Sequence, residues 1–261
     1  NPINFGESPS SNHLFYAGAT LVNHNVTVGK KQDEETGEII PLDNSSYVDL
    51  PIPESGNDGF ITIGYQWLNR RPHKINNIAP KDGFGISGLV DYANKNLFGD
   101  FSFTRFESDI FANVPVNKDG SFVAYFRLKS MLVLGSPPAQ EYVGLTDDMP
   151  IYLQGAAPSR MIPENHNPRG WSGYRLGDKL LFGTAELRQA MGPVSLNLIS
   201  DFGNAWSSSS KKEEMIITAG YEIRFALGPI VISGGDAQEI EGWKDGIKPN
   251  RYYRLALTNP F

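Results

Sequence analysis

The 261-residue sequence has no cysteine, little helical periodicity and no long apolar run. The absence of cysteine excludes disulfides and thiolate metal sites. No stretch approaches about 18 consecutive apolar residues, so no membrane-spanning helix is predicted. That criterion does not detect membrane β-strands, because apolar and polar residues alternate along them. The four histidines, His13, His24, His73 and His166, lack ligand spacing, and we therefore predict neither a metal nor a cofactor.

Positive charge is in the minority. The chain carries 23 Lys and Arg against 29 Asp and Glu, a net charge of −6, which argues against a nucleic-acid partner. No Ser-His-Asp order, glycine-rich phosphate loop or nucleophile elbow is present, so the sequence does not predict an enzyme. There is no initiator methionine and no charged-then-apolar leader, and a processed or truncated chain is expected.

The dominant pattern is alternation with period two, as in the apolar series Ile61, Ile63, Tyr65 and Trp67. The same pattern recurs along the chain and predicts ten strands: 14–28, 59–69, 83–94, 101–114, 121–134, 179–190, 194–206, 214–227, 230–240 and 251–261. These are long for a globular protein, where about 5–6 residues is typical. Strands of about ten residues suit a tilted bilayer crossing.

The connections between these strands alternate in length. Long or polar connections, at 29–57, 135–178, 207–214 and 241–250, alternate with tight turns at 117–120, 191–193 and 228–229. Two connections depart from this alternation: 70–82 is looser than a tight turn, and 95–100 is shorter than the other long connections. The strands of a soluble sandwich and those of a membrane barrel both alternate apolar with polar residues. Long loops on one side and short turns on the other favour the barrel. We therefore predict an all-β fold, a transmembrane antiparallel β-barrel over residues 1–261 without a soluble domain.

A candidate site joins the longest connection to the two strands after it. Arg169-Gly170-Trp171 lies in that connection, and Glu186 and Asp201 lie within the next two strands. Strand parity puts both acids on the polar face of one hairpin. Close like charges are unfavourable without a cation, and the planar fork of arginine suits carboxylates. We predict that Arg169 folds inward to pair with both acids.

Several motifs, in this order, resemble the BamA superfamily of outer-membrane proteins, which includes insertases, TamA and two-partner secretion pores. They are the turn 80–83, the Arg-Gly-aromatic triplet 169–171 of the sixth extracellular loop, the Glu-Leu-Arg strand 183–188, the strand end 199–206, the Gly-Pro turn 227–233 and the terminal Phe261. The resemblance covers roughly residues 60–261. It implies that the chain is the C-terminal ten strands of a sixteen-stranded barrel, with a long inward-folded extracellular loop.

The resemblance also implies a role. It implies a location in the outer membrane of a Gram-negative bacterium or the equivalent organelle membrane, and assistance in inserting or translocating other proteins. Expected partners are outer-membrane lipids, client β-barrel or secreted proteins, and periplasmic or lipoprotein accessory subunits. Tyr253, Leu255, Leu257 and Phe261 would form the C-terminal strand and assembly signal. The sequence departs from the family pattern at Asn259, where that signal usually has an aromatic residue.

Other interpretations stay open. Arg169-Gly170-Trp171 fits an ordinary surface turn, and Glu186 and Asp201 fit solvated lumen residues. The barrel also fits an anchor or exporter for a fused enzyme such as a patatin-like lipase, or a passive porin-like channel. A soluble β-rich binding protein is the remaining alternative.

Overall fold

A computed structural model describes residues 11–25, 30–32, 36–41, 54–70, 82–97, 99–146, 168–171, 173–207, 214–227, 230–241 and 249–257. Within these ranges the alternating segments form β-strands. They are β1 (Ser11–His24), β2 (Lys30–Gln32), β3 (Ile39–Pro41), β4 (Gly56–Arg70), β5 (Gly83–Ala93), β6 (Ser102–Pro115), β7 (Phe122–Ser136), β8 (Val143–Thr146), β9 (Tyr174–Gly177), β10 (Lys179–Met191), β11 (Val194–Trp206), β12 (Ile216–Leu227), β13 (Ile230–Glu239) and β14 (Asn250–Leu257).

Ten of these strands form one antiparallel sheet with the order β1-β4-β5-β6-β7-β10-β11-β12-β13-β14. Every hydrogen-bonded neighbour is therefore also the next long strand along the chain. Because each pair is antiparallel, successive connections lie at opposite ends of the sheet. We call the end with connections 25–55, 94–101, 137–178, 207–215 and 240–249 the loop side, and the opposite end the turn side.

The ten predicted strands are confirmed, with shifted ends. For example, β1 was predicted over 14–28 but begins at Ser11 and ends at His24. Two short hairpins were not predicted, β2–β3 and β8–β9, because strands of three or four residues are too short to show a period. No helix in the described ranges has the length and apolar character needed to cross a membrane.

The large sheet has its apolar side chains outside and its charged side chains inside. Ile63 is 64% exposed and Leu198 is 63% exposed, whereas Arg105 and Asp201 are each 1% exposed. A water-soluble sandwich would show the reverse, with apolar residues in the core and charges facing water. An apolar exterior and a polar interior are typical of a membrane barrel, and the predicted all-β barrel class is confirmed at that level.

Near the loop side the inner face becomes apolar. The hairpin β8–β9 lies there, and its residue Leu145 is fully buried. Buried side chains of the surrounding strands and of β8 form one cluster, which we call the inner apolar cluster: Phe60, Ala93, Phe103, Met131, Val133, Val143, Leu145, Leu180, Phe182, Ala205 and Ile216. The described ends of the longest connection are therefore folded inward, as predicted.

Candidate functional site

The turn that presents Arg169 is pressed against strand β13. The Trp171 amide donates to the Pro168 carbonyl at 3.1 Å, which closes the turn. Gly170 has φ of +82°, and a Cβ at this position would lie 2.2 Å from the Ala237 carbonyl oxygen. Glycine is required here both for the left-handed backbone and for the close approach. The Asn250 side chain of β14 donates to the Gly170 carbonyl at 2.7 Å.

Arg169 binds Asp201 of β11 in a bidentate manner. Its Nε donates to Oδ2 at 2.7 Å and its Nη2 donates to Oδ1 at 2.6 Å. The Arg169 backbone amide donates to the same Oδ2 at 2.9 Å. Thr184 of β10 accepts from Nη2 at 2.7 Å and donates to Asp201 Oδ1. Such paired, charge-assisted bonds fix the orientation of both groups.

The other edge of the Arg169 guanidinium faces two more acids. Nη1 lies 2.8 Å from Glu186 Oε1 of β10 and 3.5 Å from Glu222 Oε2 of β12. Glu186 also accepts from Arg188 at 2.6 Å and from Arg224 at 2.8 Å. Glu222 accepts from Arg224 and, at 3.1 Å, from the Tyr252 hydroxyl.

These six charged residues form what we call the Arg169 network: Arg169, Arg188, Arg224, Glu186, Asp201 and Glu222. Three guanidinium groups balance three carboxylates, and all three acids are less than 5% exposed. Removing one partner of a buried ion pair leaves an uncompensated charge and is strongly destabilising. The network therefore ties the end of the longest connection to β10, β11 and β12.

The remaining predicted residues lie apart from this network. Trp171 is half-buried and packs against the inner apolar cluster. Tyr253 is 75% exposed on the outer face. Leu255 and Leu257 pair with Ile232 and Ile230 in the ladder between β13 and β14. Phe261 lies outside the described residues, and the assembly signal stays a prediction.

Five side chains of the site were not predicted as members: Thr184, Arg188, Glu222, Arg224 and Tyr252. A signal for four of them was present, because Thr184 and Arg188 share the face of Glu186 in β10, and Glu222 and Arg224 alternate with apolar residues in β12. Tyr252 lies in β14 on the opposite face from Tyr253 by the same rule. What the sequence does not contain is the curvature of the sheet, which brings β12 and β14 towards the loop.

A second attachment, also not predicted, lies where the longest connection begins. A 3-10 turn spans Ala139–Glu141, and we call it the first anchor. The Gln140 amide accepts from the Glu54 backbone N–H at 3.0 Å and donates to the Glu54 carbonyl at 3.1 Å. Glu141 forms an ion pair with Arg105, which also pairs with Asp91. Thus both described ends of the connection are attached to the inner face.

The described residues contain no group of three or more His, Cys, Asp or Glu side chains placed to hold a metal ion. In the Arg169 network each carboxylate is bound by at least one guanidinium. This arrangement suits mechanical attachment of a loop.

Comparisons with known proteins support the fold. No protein-family model and no curated protein matches the sequence. Among solved structures the chain is similar to the β-barrel protein CdiB from Acinetobacter baumannii, with a TM-score of 0.58 and 8% identity over 96% of this chain. The chain spans 39% of the length of CdiB. At this identity the similarity establishes a shared fold.

Proposed function

We propose that the protein is part of an outer-membrane β-barrel that transports or inserts other proteins, and that the Arg169 network holds its longest loop inside the barrel. The observation that carries this proposal is the buried guanidinium of Arg169, which bonds Asp201 and Glu186 from a loop. This attachment supports a role for the loop inside the barrel.

The exposed surface supports a location in a membrane. Outward residues such as Ile63, Leu198 and Ile223 are 47–64% exposed, and water would be a poor solvent for so large an apolar surface. Lipid would be a suitable environment for this apolar surface. The ordered motifs that resemble the BamA superfamily, together with the fold shared with CdiB, support an outer-membrane protein transporter of that superfamily. The narrower role of an insertase is supported by the resemblance alone.

The attached loop also argues against a passive channel. The inner apolar cluster fills the space between β8 and the wall near the loop side, with Leu145 fully buried. Free diffusion of solutes would need an open, water-lined path. We propose that this cluster keeps the barrel closed at rest, and that a client protein displaces the loop during transport.

Depletion of the protein in cells tests the proposal. We expect a selective fall in particular outer-membrane or secreted proteins, measured by quantitative mass spectrometry of both fractions. Re-expression of the Arg251→Ala variant should restore them, because Arg251 is 68% exposed on the outer face. Re-expression of Arg169→Ala should not.

Other outcomes would reject the proposal. Unchanged protein profiles with slower uptake of small solutes would indicate a passive channel. Unchanged profiles with loss of a covalently attached enzyme from the membrane would indicate an anchor.

A further inference from the structure

The first anchor differs from the Arg169 network in its charge balance. In the Arg169 network three arginines face three acids. At the first anchor one guanidinium, that of Arg105, faces the carboxyl groups of Asp91, Glu141 and Asp58. Fully ionised, this group of residues would carry two uncompensated negative charges in a buried position, which is unfavourable.

Asp58 is the acid of this group that accepts no hydrogen bond from a guanidinium, amide or hydroxyl donor of the described residues. Its side chain is 1% exposed, and no donor in the described part of the chain reaches either of its oxygens. By contrast, Asp91 accepts from Arg105 and from the Thr62 hydroxyl. The carboxyl of Asp58 instead faces that of Glu141 closely enough for one to donate to the other when it is protonated.

Among the described residues, the charged groups that face Asp58 come from four elements. They are Glu141 from the first anchor, Arg105 from β6, Asp91 from β5 and His24 from β1. The His24 Nε2 lies 4.0 Å from Asp58 Oδ2, beyond hydrogen-bonding distance. A buried carboxyl in contact with a second carboxyl is stabilised by sharing one proton, as in carboxylic dyads.

Asp58 lies at the rim of the sheet and outside its apolar band. It is the third residue of β4, on the loop side. The outward neighbours Asn57 and Asn23 are polar and exposed, and they hydrogen-bond each other at 2.8 Å. The apolar outward positions of β4 begin only at Ile61. The aqueous phase beyond the loop side can therefore exchange protons with this carboxyl whenever the anchor opens.

We propose that Asp58 and Glu141 form a proton-binding pair which holds the first anchor, and through it the start of the longest loop, against the wall only while one proton is bound. Loss of that proton places two facing carboxylates between β4 and the 3-10 turn and loosens the attachment. The Arg169 network, which is charge-balanced, stays closed. The loop would thus have one attachment that responds to pH and one that does not, whatever protein the barrel transports.

The direction of the pH response follows from the electrostatics. Burial, followed by the nearby Glu141 carboxylate, raises the pKa of Asp58 to about 7. In the released anchor Asp58 would be solvated, with an ordinary pKa of about 3.9. The attached form thus binds the proton more tightly. Attachment is fully favoured below about pH 4, weakens as pH rises from about 4 to 7, and is constant above that.

Thiol labelling at the anchor tests the proposal, because the chain has no native cysteine. Ala139→Cys reports on the anchor, since Ala139 is 5% exposed, and Leu97→Cys, at a position 67% exposed, corrects for the intrinsic pH dependence of the reaction. With the protein in detergent and dithiodipyridine as the probe, the ratio of the two labelling rates should rise about tenfold to a hundredfold between pH 5 and pH 7.

Two substitutions assign the proton. Asp58→Asn, added to both reporters, keeps the shape of the protonated acid and should make the ratio independent of pH and as low as that of the parent protein at about pH 4. His24→Gln should leave the pH profile unchanged, because the proton is assigned to the carboxyl pair.

Three results would overturn the proposal: a flat profile from pH 4 to 8 in the parent protein, a slope that persists in Asp58→Asn, or a slope that disappears in His24→Gln. If Asp58→Asn fails to fold, Glu141→Gln replaces it, because that change removes the second carboxyl of the pair and should reduce the slope; an unchanged slope in Glu141→Gln would overturn the proposal.

Discussion

Arg169 concentrates the contacts of the candidate site in one side chain. It bonds Asp201 through two nitrogens, Thr184 through one, and contacts Glu186 and Glu222. These partners come from three strands, so no single strand determines the position of the turn. The planar five-donor guanidinium can serve several acceptors at once, which a lysine ammonium in the same place could not do with this geometry.

The first prediction concerns removal of this charge. Arg169→Ala would leave Asp201 and Glu222 in the interior with fewer compensating cations, and breaking a buried pair costs about 3 to 5 kcal/mol. We expect a lower thermal unfolding temperature in detergent, followed by heat-modifiability on gels. Arg251→Ala, which removes an exposed arginine, is the control and should unfold like the parent protein. Equal unfolding temperatures for both variants would contradict a structural role for Arg169.

The second prediction concerns the glycine beside it. Gly170→Ala puts a Cβ 2.2 Å from the Ala237 carbonyl oxygen and strains a φ of +82°, so the turn should move away from β13. We expect faster proteolytic cleavage in the longest connection. Gly192→Ala is matched for backbone strain, with φ of +60°, but has no atom within 4 Å. A Gly170→Ala protein cleaved no faster than Gly192→Ala would show that close packing at this position is unimportant.

At the scale of strands, local alternation was sufficient to predict the ten long strands and the shared inward face of Glu186 and Asp201. It failed where contacts are distant in sequence. The predicted polar connection ended at residue 57 and the predicted strand began at residue 59, yet β4 begins at Gly56 and Asn57 pairs with Asn23 of β1. Glu141 lies in a connection without any period, and its partner Arg105 is 36 residues away.

The third prediction tests which solvent covers the outer face of the strands. Leu198 of β11 is 63% exposed at an outward position. If lipid covers it, Leu198→Arg should destabilise the protein by about 2 to 4 kcal/mol, measured by urea unfolding in liposomes. Val116→Arg, at an exposed position in the β6–β7 turn, should have a much smaller effect. In water an arginine at either position would be tolerated, so equal effects would argue against a lipid-facing surface.

At the scale of the whole molecule, the inner face of the sheet has two zones. The zone near the loop side is apolar and contains Leu145, and the adjoining zone contains the Arg169 network. Their order along the axis could not be predicted, because the apolar zone uses inward positions of strands whose mid-strand inward positions are charged, as with Phe103 and Arg105 of β6. In the sequence, each strand taken alone shows only an irregular alternation of apolar and polar residues.

The fourth prediction concerns closure of this interior. Leu145→Asp places an unpaired charge in the apolar zone, where burial without a partner is costly, and should displace the hairpin β8–β9. We expect larger and more variable single-channel currents in planar lipid bilayers than for the parent protein. Leu97→Asp, at an exposed loop position, should leave the current unchanged. A Leu145→Asp protein that inserts normally and conducts like the parent would contradict closure by this zone.

The order of the sheet has a consequence for the time course of folding. Each long strand pairs with the next one along the chain, so hairpins can form early from local contacts, which form fastest. Arg169 precedes all of its acidic partners in the sequence, and the last of them, Glu222, arrives 53 residues later. The turn that carries Arg169 can therefore attach only after β10, β11 and β12 have assembled. Substitutions in this turn should accelerate unfolding far more than they slow the first steps of folding.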